Sequence, residues 1–207
     1  MGLVVANEYA GVRIEYKGID NSLRDDFTAF IAELAEQLHS QGKLLIVGVD
    51  APVQIAEDRW DTGGYDWKAL GGVVDGFQLP AVERAEAYAS GGQMEALLNY
   101  ALGQVDRYKI RVILSAYARD QVGQQEVSLP YQEALQLLEG EIALPSEAVQ
   151  PGETVTVNLA LAGGSGVDYL PESQTYWFTY TDERGEHRVW LENAESIAHK
   201  LALLQAF

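Results

Sequence analysis

Lys43-Leu44-Leu45-Ile46-Val47-Gly48-Val49 is a continuous β-rich run, apolar from Leu44 onward. A run this long without polar alternation marks a strand buried on both faces, the kind that sits inside parallel sheets. Just upstream, Leu23, Phe27, Phe30, Ile31, Leu34 and Leu38 recur at three- and four-residue steps and form one apolar helix face. Asn21-Ser22 offers an N-cap with Asp25 as its capping-box partner, and Gly42 is the natural stop. Further upstream, Val12 to Tyr16 reads as a short alternating strand. Strand, helix and buried strand in this order predict a parallel pair joined by a right-handed crossover. The pattern repeats downstream. Asp66 caps a helix through Leu70, Val73 to Leu79 is a strand ended by Pro80, and Gln93 to Val105 is a helix. Ile110 to Tyr117 is another strand, and Pro130 opens a helix through Leu138 in the first-turn position that proline tolerates. The fold class is therefore α/β with a parallel sheet.

After about residue 140 the period changes. Val155, Val157, Leu159 and Leu161 alternate with polar residues, which predicts a half-exposed strand. Gly163 to Gly166 is a break, and Tyr176 to Thr181 pairs with His187 to Leu191 in a hairpin around Asp182-Glu183-Arg184-Gly185. Ala194 to Ala206 closes the chain as a helix, with Ile197, Leu201 and Leu204 expected on its buried side.

Composition narrows the functional classes. The 207 residues suit one ample domain, and 47% hydrophobic with 22% charged residues argues against disorder. There is no cysteine, which excludes disulfides, thiolate catalysis and zinc–cysteine sites. The net charge of −17 argues against nucleic acid or an anionic membrane as partner, because both need a basic face. No apolar run is long enough to span a bilayer, and Met1 to Ala6 lacks the basic and long apolar regions of a secretory signal. His39, His187 and His199 fit no metal-ligand spacing and are expected to be structural. Gly71-Gly72 and Gly91-Gly92 are not phosphate loops, and Ser115 and Ser196 lack a nucleophile-elbow context. Neither a metal nor a cofactor is expected.

Several segments in order resemble glycoside hydrolase family 18, in its chitinase-like and spore-cortex or peptidoglycan hydrolase branch. They are Ala10 to Lys17, Arg24 to Phe30, Leu38 to Lys43, Tyr65 to Leu70, Lys109 to Tyr117, and Tyr176 to Tyr180 with Gly185 to Ile197. The last is the most specific. The family fold is a (β/α)8 barrel with a small α+β insertion after the seventh strand. The resemblance implies a partial (β/α)8 TIM-barrel-like parallel sheet, about strands four to seven, with a small β-rich insertion. The expected division is a barrel body at 1–140, the insertion at 141–192, and a C-terminal helix at 193–207 returning to the body. Strands one to three and strand eight have no counterpart, and the length falls short of the roughly 250 residues typical of a barrel. An open parallel sheet leaves two edges unpaired, so self-association through them is expected.

The same resemblance locates the chemistry. The family hydrolyses N-acetylglucosamine polymers by substrate assistance, with a strand motif Asp-x-x-Asp-x-Asp-x-Glu whose glutamate protonates the leaving oxygen. Those four acidic positions hold Ala10, Arg13, Glu15 and Lys17 here. An ammonium holds its proton far more tightly than a carboxylic acid, so Lys17 is a poor general acid. The tyrosine that would hold the acetamido group maps to Val82, followed by Glu83. Period two puts Arg13, Glu15 and Lys17 on one strand face. They read as a structural ion-pair ladder, as a remodelled pocket for an anionic or sugar ligand, or as a surviving catalytic group. Trp60, Tyr65, Trp67 and Tyr88 fall in loops that form the ligand-facing rim of a barrel, where Trp60 and Trp67 are expected either to stack on sugars or to pack internally. Asp50, Asp58, Asp61 and Asp75 are scattered near that rim. Tyr117 and Glu83 complete the expected ligand contacts.

The expected function is a catalytically inactive family 18-like domain binding an N-acetylglucosamine-containing glycan, at the cell surface or outside the cell as the resemblance implies. The alternatives are a structural or protein-interaction module without sugar affinity, and an active glycosidase with a relocated acid, Glu15 or Glu83.

Overall fold

The structure is a computed structural model and describes residues 2–138, 142–143, 158–159 and 166–207. The chain divides into two compact units. The first comprises Met1–Ser115 with Ala206–Phe207, and the second Ala116–Gln205.

The first unit contains α1 (Gly2–Ala6), β1 (Gly11–Ile14), α2 (Arg24–His39), β2 (Leu44–Gly48), β3 (Val53–Ala56), β4 (Arg59–Asp61), α3 (Trp67–Val73), β5 (Gly76–Pro80), α4 (Gln93–Gln104) and β6 (Ile110–Ile113). Strands β1, β2, β5 and β6 form a parallel sheet in that order, with Gly11 opposite Leu44, Ile46 opposite Gly76 and Phe77 opposite Ile110. The apolar run at 44–49 is the inner strand β2, as expected. Leu45 and Val47 on it, and Phe77 and Leu79 on β5, are fully buried. Each such side chain contributes about 1.5–3 kcal/mol relative to exposure. A side chain at Gly11 would place its Cβ 2.1 Å from the Leu44 carbonyl oxygen, so close pairing of β1 with β2 depends on glycine there.

The helix caps differ from expectation at one end. The Asp20 carboxylate, not Ser22, accepts the opening amide, from Ser22 N at 2.9 Å, and the Ser22 hydroxyl donates to the same carboxylate at 2.6 Å. A charged acceptor outcompetes a hydroxyl for these donors. The result is a 3-10 turn, Asn21–Leu23, that leads into α2. Asp66 caps α3 as its position predicts, accepting from Ala69 N at 3.0 Å, and Gly42 (φ +66°) follows α2 in the left-handed conformation. Val73 ends α3 and does not begin a strand; β5 starts at Gly76 and includes Pro80. The hairpin β3–β4 is a further addition to the expected elements.

The second unit contains β7 (Ala118–Val122), β8 (Gln125–Leu129), α5 (Tyr131–Gln136), β9 (Ile142–Ala143), β10 (Asn158–Leu159), β11 (Asp168–Leu170), β12 (Thr175–Asp182), β13 (Gly185–Leu191) and α6 (Ala194–Gln205). Five strands form an antiparallel sheet, β11-β12-β13-β7-β8. The hairpin β12–β13 falls where expected, but β7, from the stretch expected in the barrel body, pairs with β13, β8 pairs with β7, and α6 also groups with this unit. Pro130 precedes α5 at the N-cap instead of occupying its first turn. Ala134 and Leu138 pack with Ala118, Phe178, Val189 and Leu191 in the core. The buried side of α6 is not the expected apolar one. Ser196 and Lys200 are buried, whereas Leu201 is exposed, because Glu192 gathers both polar groups inward. The expected strand at 155–161 lies outside the described residues apart from the backbone of Asn158–Leu159.

Candidate functional site

The C-terminal ends of β1 and β2 bring four charged groups together. Parallel sheets bind ligands at these ends, because loops there are free of the strand ladder. Arg13 and Glu15 form an ion pair, and Lys17 Nζ lies 3.3 Å from Glu15 and 3.5 Å from Asp50. Lys17 also donates to the Val49 carbonyl oxygen at 3.1 Å. Gly48 leaves room for Glu15, since a Cβ there would stand 3.3 Å from Glu15 Cγ. Asp50 accepts from Gly18 N at 2.7 Å and from the Tyr65 hydroxyl at 2.9 Å. The Tyr65 hydroxyl also lies 2.7 Å from the Tyr16 carbonyl oxygen. Burial alone pushes the Asp50 carboxyl up, but the Gly18 amide, the Tyr65 hydroxyl and the Lys17 ammonium together outweigh it and hold the carboxyl below its usual range. Burial, and then the hydrogen bond and charge of Asp50, push the Tyr65 phenol up.

The structure therefore brings Arg13, Glu15 and Lys17 together in a ladder of alternating charge and adds Asp50 and Tyr65. Asp50 was legible only as a scattered acid. The signal that places it is its position directly after the buried run, where β2 ends beside β1. Ala10 precedes β1 and is exposed. Val82 and Glu83 follow β5; Val82 is half-buried with its amide 3.4 Å from Met94 Sδ, and Glu83 is exposed. Tyr117 is exposed and opens the second unit.

The tryptophans are a correction. Trp60 and Trp67 are buried, packed on Tyr100 with centroids 6.3 and 5.4 Å away, and Trp67 also meets Phe77 edge-on at 5.3 Å. Tyr65 and Tyr88 are buried too. A ring beside an apolar core gains more from burial than from waiting in water. None of these four rings is offered as a stacking surface.

Other polar clusters lie elsewhere. His39 meets Asp75 at 2.8 Å in an open groove of about 610 Å³ between α2 and α3, at the opposite strand ends from Lys17. In the second unit, His187 is fully buried, with Nδ1 2.8 Å from Asp120 and Nε2 3.0 Å from Asp182. Tyr180 stacks on it at 4.4 Å and donates to Asp120 at 2.9 Å. Among the described residues no cluster of acids and histidines could hold a metal ion, and no helix is long and apolar enough to cross a membrane.

Comparison with known proteins shows what this chain is similar to. No family model matches the chain. A Bacillus subtilis (strain 168) protein named as a sporulation-specific glycosylase, YdhD, is 24% identical over 212 residues, 99% of this chain and 46% of that protein. The cortical fragment-lytic enzyme of the same organism is 25% identical over 206 residues, 95% of this chain and 44% of the enzyme. The crystal structure of a chitinase from Chromobacterium violaceum superposes with a TM-score of 0.72 at 25% identity, over 100% of this chain and 61% of the chitinase. The chain is glycoside hydrolase family 18-like. The spore cortex-lytic enzyme SleL of Bacillus megaterium shares the fold, with a TM-score of 0.68 at 18% identity over 99% of this chain and 45% of SleL. The family 18-like chain thus spans about half the length of the curated relatives it matches. Its parallel sheet is consistent with part of a TIM barrel.

Proposed function

We propose that the chain is a family 18-like glycan-binding module that does not hydrolyse its ligand. One observation carries the reading: the position that the family resemblance gives to the proton-donating glutamate is Lys17, and its ammonium is already engaged by Val49, Glu15 and Asp50. A general acid must release its proton to the glycosidic oxygen, and an ammonium tied into such a cluster is poorly suited to that. Val82 in place of the acetamido-holding tyrosine supports the same reading. In this proposal β1, β2, β5 and β6 correspond to barrel strands four to seven. Arg13, Glu15 and Lys17 form the polar contact for an N-acetylglucosamine-containing polymer, chitin or the peptidoglycan of a spore cortex, with Glu83 and Tyr117 as further contacts. No metal or cofactor takes part, and the ligand places the protein outside the cell or at its surface.

Calorimetric titration with N-acetylglucosamine oligomers, with products read by mass spectrometry, tests this. Saturable binding without cleavage is expected. Product release that disappears in Glu15→Gln would establish an active glycosidase and overturn the proposal. The outer position of β1 and β6 in the parallel sheet favours a second reading, a self-associating interaction module. Absence of glycan binding with a concentration-dependent mass in light scattering would favour it.

A further inference from the structure

His187 on β13 is fully buried, and carboxylates meet both of its ring nitrogens. Nδ1 lies 2.8 and 2.9 Å from the two oxygens of Asp120 on β7, and Nε2 lies 3.0 Å from Asp182 Oδ1 at the end of β12. Tyr180 stacks on the ring at 4.4 Å and donates to Asp120 Oδ2 at 2.9 Å. Beyond the ring, Arg184 donates to Asp182 from its amide at 2.7 Å and from its guanidinium at 3.0 and 3.1 Å, so Asp182 also closes the β12–β13 turn. Helix α5 packs on β7 and β13, and its titratable side chains, Tyr131 and Glu133, are exposed. The groups that face His187 are Asp120, Tyr180 and Asp182, with Arg184 acting through Asp182.

Carboxylates only accept, so an imidazole bonded to them at both nitrogens donates from both, which makes it the imidazolium. A neutral ring has one N–H and one lone pair, and the lone pair would face a carboxylate. The two carboxylates differ in what they can do about that. Asp120 is buried and fixed by the Tyr180 hydroxyl, and leaving it unpaired would strand a charge inside the unit. The Asp182 side chain is 35% exposed and can turn to solvent. A neutral ring therefore keeps its N–H on Nδ1 and gives up Asp182. Burial alone pushes the Asp182 carboxyl up, but the Arg184 amide and guanidinium and the His187 ring outweigh it and hold the carboxyl below its usual range. Asp182 is thus ionised wherever a histidine ordinarily titrates.

We propose that His187 is a proton-operated latch on the β12–β13 turn: the imidazolium holds Asp182 and closes the turn, and loss of one ring proton releases Asp182 while Asp120 keeps the ring in place. The hold of the imidazolium is present at low pH and is lost as pH rises and the ring becomes neutral. The Asp182 contribution has the opposite sign, since its pKa is lowered. It is present above the ordinary carboxylate range and is lost as pH falls through its folded value. The latch closes between these two limits. It needs no ligand, so it stands apart from the glycan reading.

Amide hydrogen exchange and ring-nitrogen NMR of the full chain test this from about pH 5 to about pH 9, which takes in the ordinary titration of histidine. Protection of the Arg184 and Gly185 amides, corrected for the intrinsic pH dependence of exchange, is expected to fall about tenfold across that range. In the same range the His187 Nε2 loses its proton and Nδ1 keeps its own. Asp182→Asn removes the dependence, because a carboxamide accepts from a protonated Nε2 and donates to a bare one. A flat wild-type profile would overturn the latch, and so would an Asp182→Asn profile that falls like the wild type, or a ring that loses its Nδ1 proton first. If Asp182→Asn fails to fold, the wild-type profile and ring signals decide alone.

Discussion

Lys200→Met separates a buried ion pair from an exposed one. The Lys200 and Glu192 side chains are each 4% exposed, and the second Glu192 oxygen accepts from the Ser196 hydroxyl at 2.9 Å. Methionine keeps the apolar stem of the lysine but leaves the Glu192 carboxylate buried without its cation. Breaking one partner of a buried pair costs about 3–5 kcal/mol. Better packing of the methionine offsets part of this, so about 3 kcal/mol is expected. At about 2–4 °C per kcal/mol for a chain of this size, the melting temperature falls by roughly 6–12 °C. Lys17→Met is the control. Lys17 is 50% exposed, solvent screens its pairs, and the loss is at most about 1 kcal/mol. Thermal unfolding followed by tryptophan fluorescence reads both. The double variant Lys200→Met with Glu192→Gln recovers most of the loss, because the amide is neutral and still accepts from Ser196. A loss under about 1 kcal/mol for Lys200→Met, or no recovery in the double variant, would refute the claim that this pair holds α6.

Gly11→Ala puts a methyl group 2.1 Å from a backbone oxygen that no rotamer can move, so it destabilises by at least about 2 kcal/mol, seen as a lower urea midpoint. Burial, then the hydrogen bond to Asp120, raises the Tyr180 phenol to about 12. A raised pKa means that its stabilising contribution is complete below the ordinary phenol range and is lost as pH rises through about 12; an absorbance titration should show this late ionisation, and Asp120→Asn should bring it earlier. Asp50 has the opposite sign. Its lowered pKa gives a contribution present above the ordinary carboxylate range and lost as pH falls through its folded value, and carbon NMR should show Lys17→Met moving that titration upward. Trp67→Phe should cost little for so large a buried ring, because it also removes an indole N–H that is buried without an acceptor; a loss above about 3 kcal/mol in urea unfolding would refute this.

The first unit was legible in the sequence because its signals are local and agree. The apolar run at 44–49, the helical face through Phe27, Ile31 and Leu38, and the Asp66 cap each specify an element without distant partners, although Leu23 and Phe30, expected on that face, are exposed. What was not legible depended on pairing. Nothing in Ala118–Leu129 says that it joins β13 and not the parallel sheet, since short strands carry little information about their neighbours. Periodicity also failed on α6, where Glu192 draws Ser196 and Lys200 inward against the apolar pattern. The charged ladder Arg13–Glu15–Lys17 was readable from period two alone. Its closure by Asp50 and Tyr65 was not, because adjacency across parallel strands follows from register, which one strand does not disclose. The tryptophans were left undecided for a related reason: a ring in a loop can turn either way, and Tyr100 on α4, which receives both Trp60 and Trp67, lies far along the chain.

The Lys17 cluster has a physical consequence for what it can bind. A row of carboxylates at a barrel mouth repels itself and keeps a proton available, which is what an acid catalyst needs. Alternating Arg13, Glu15 and Lys17 instead neutralise one another, and Asp50 with Tyr65 ties the row to the ends of β2 and α3. Such a cluster gives a ligand directional hydrogen bonds but little apolar contact, and exposed ion pairs alone contribute weakly to affinity. A glycan bound only there would be held loosely.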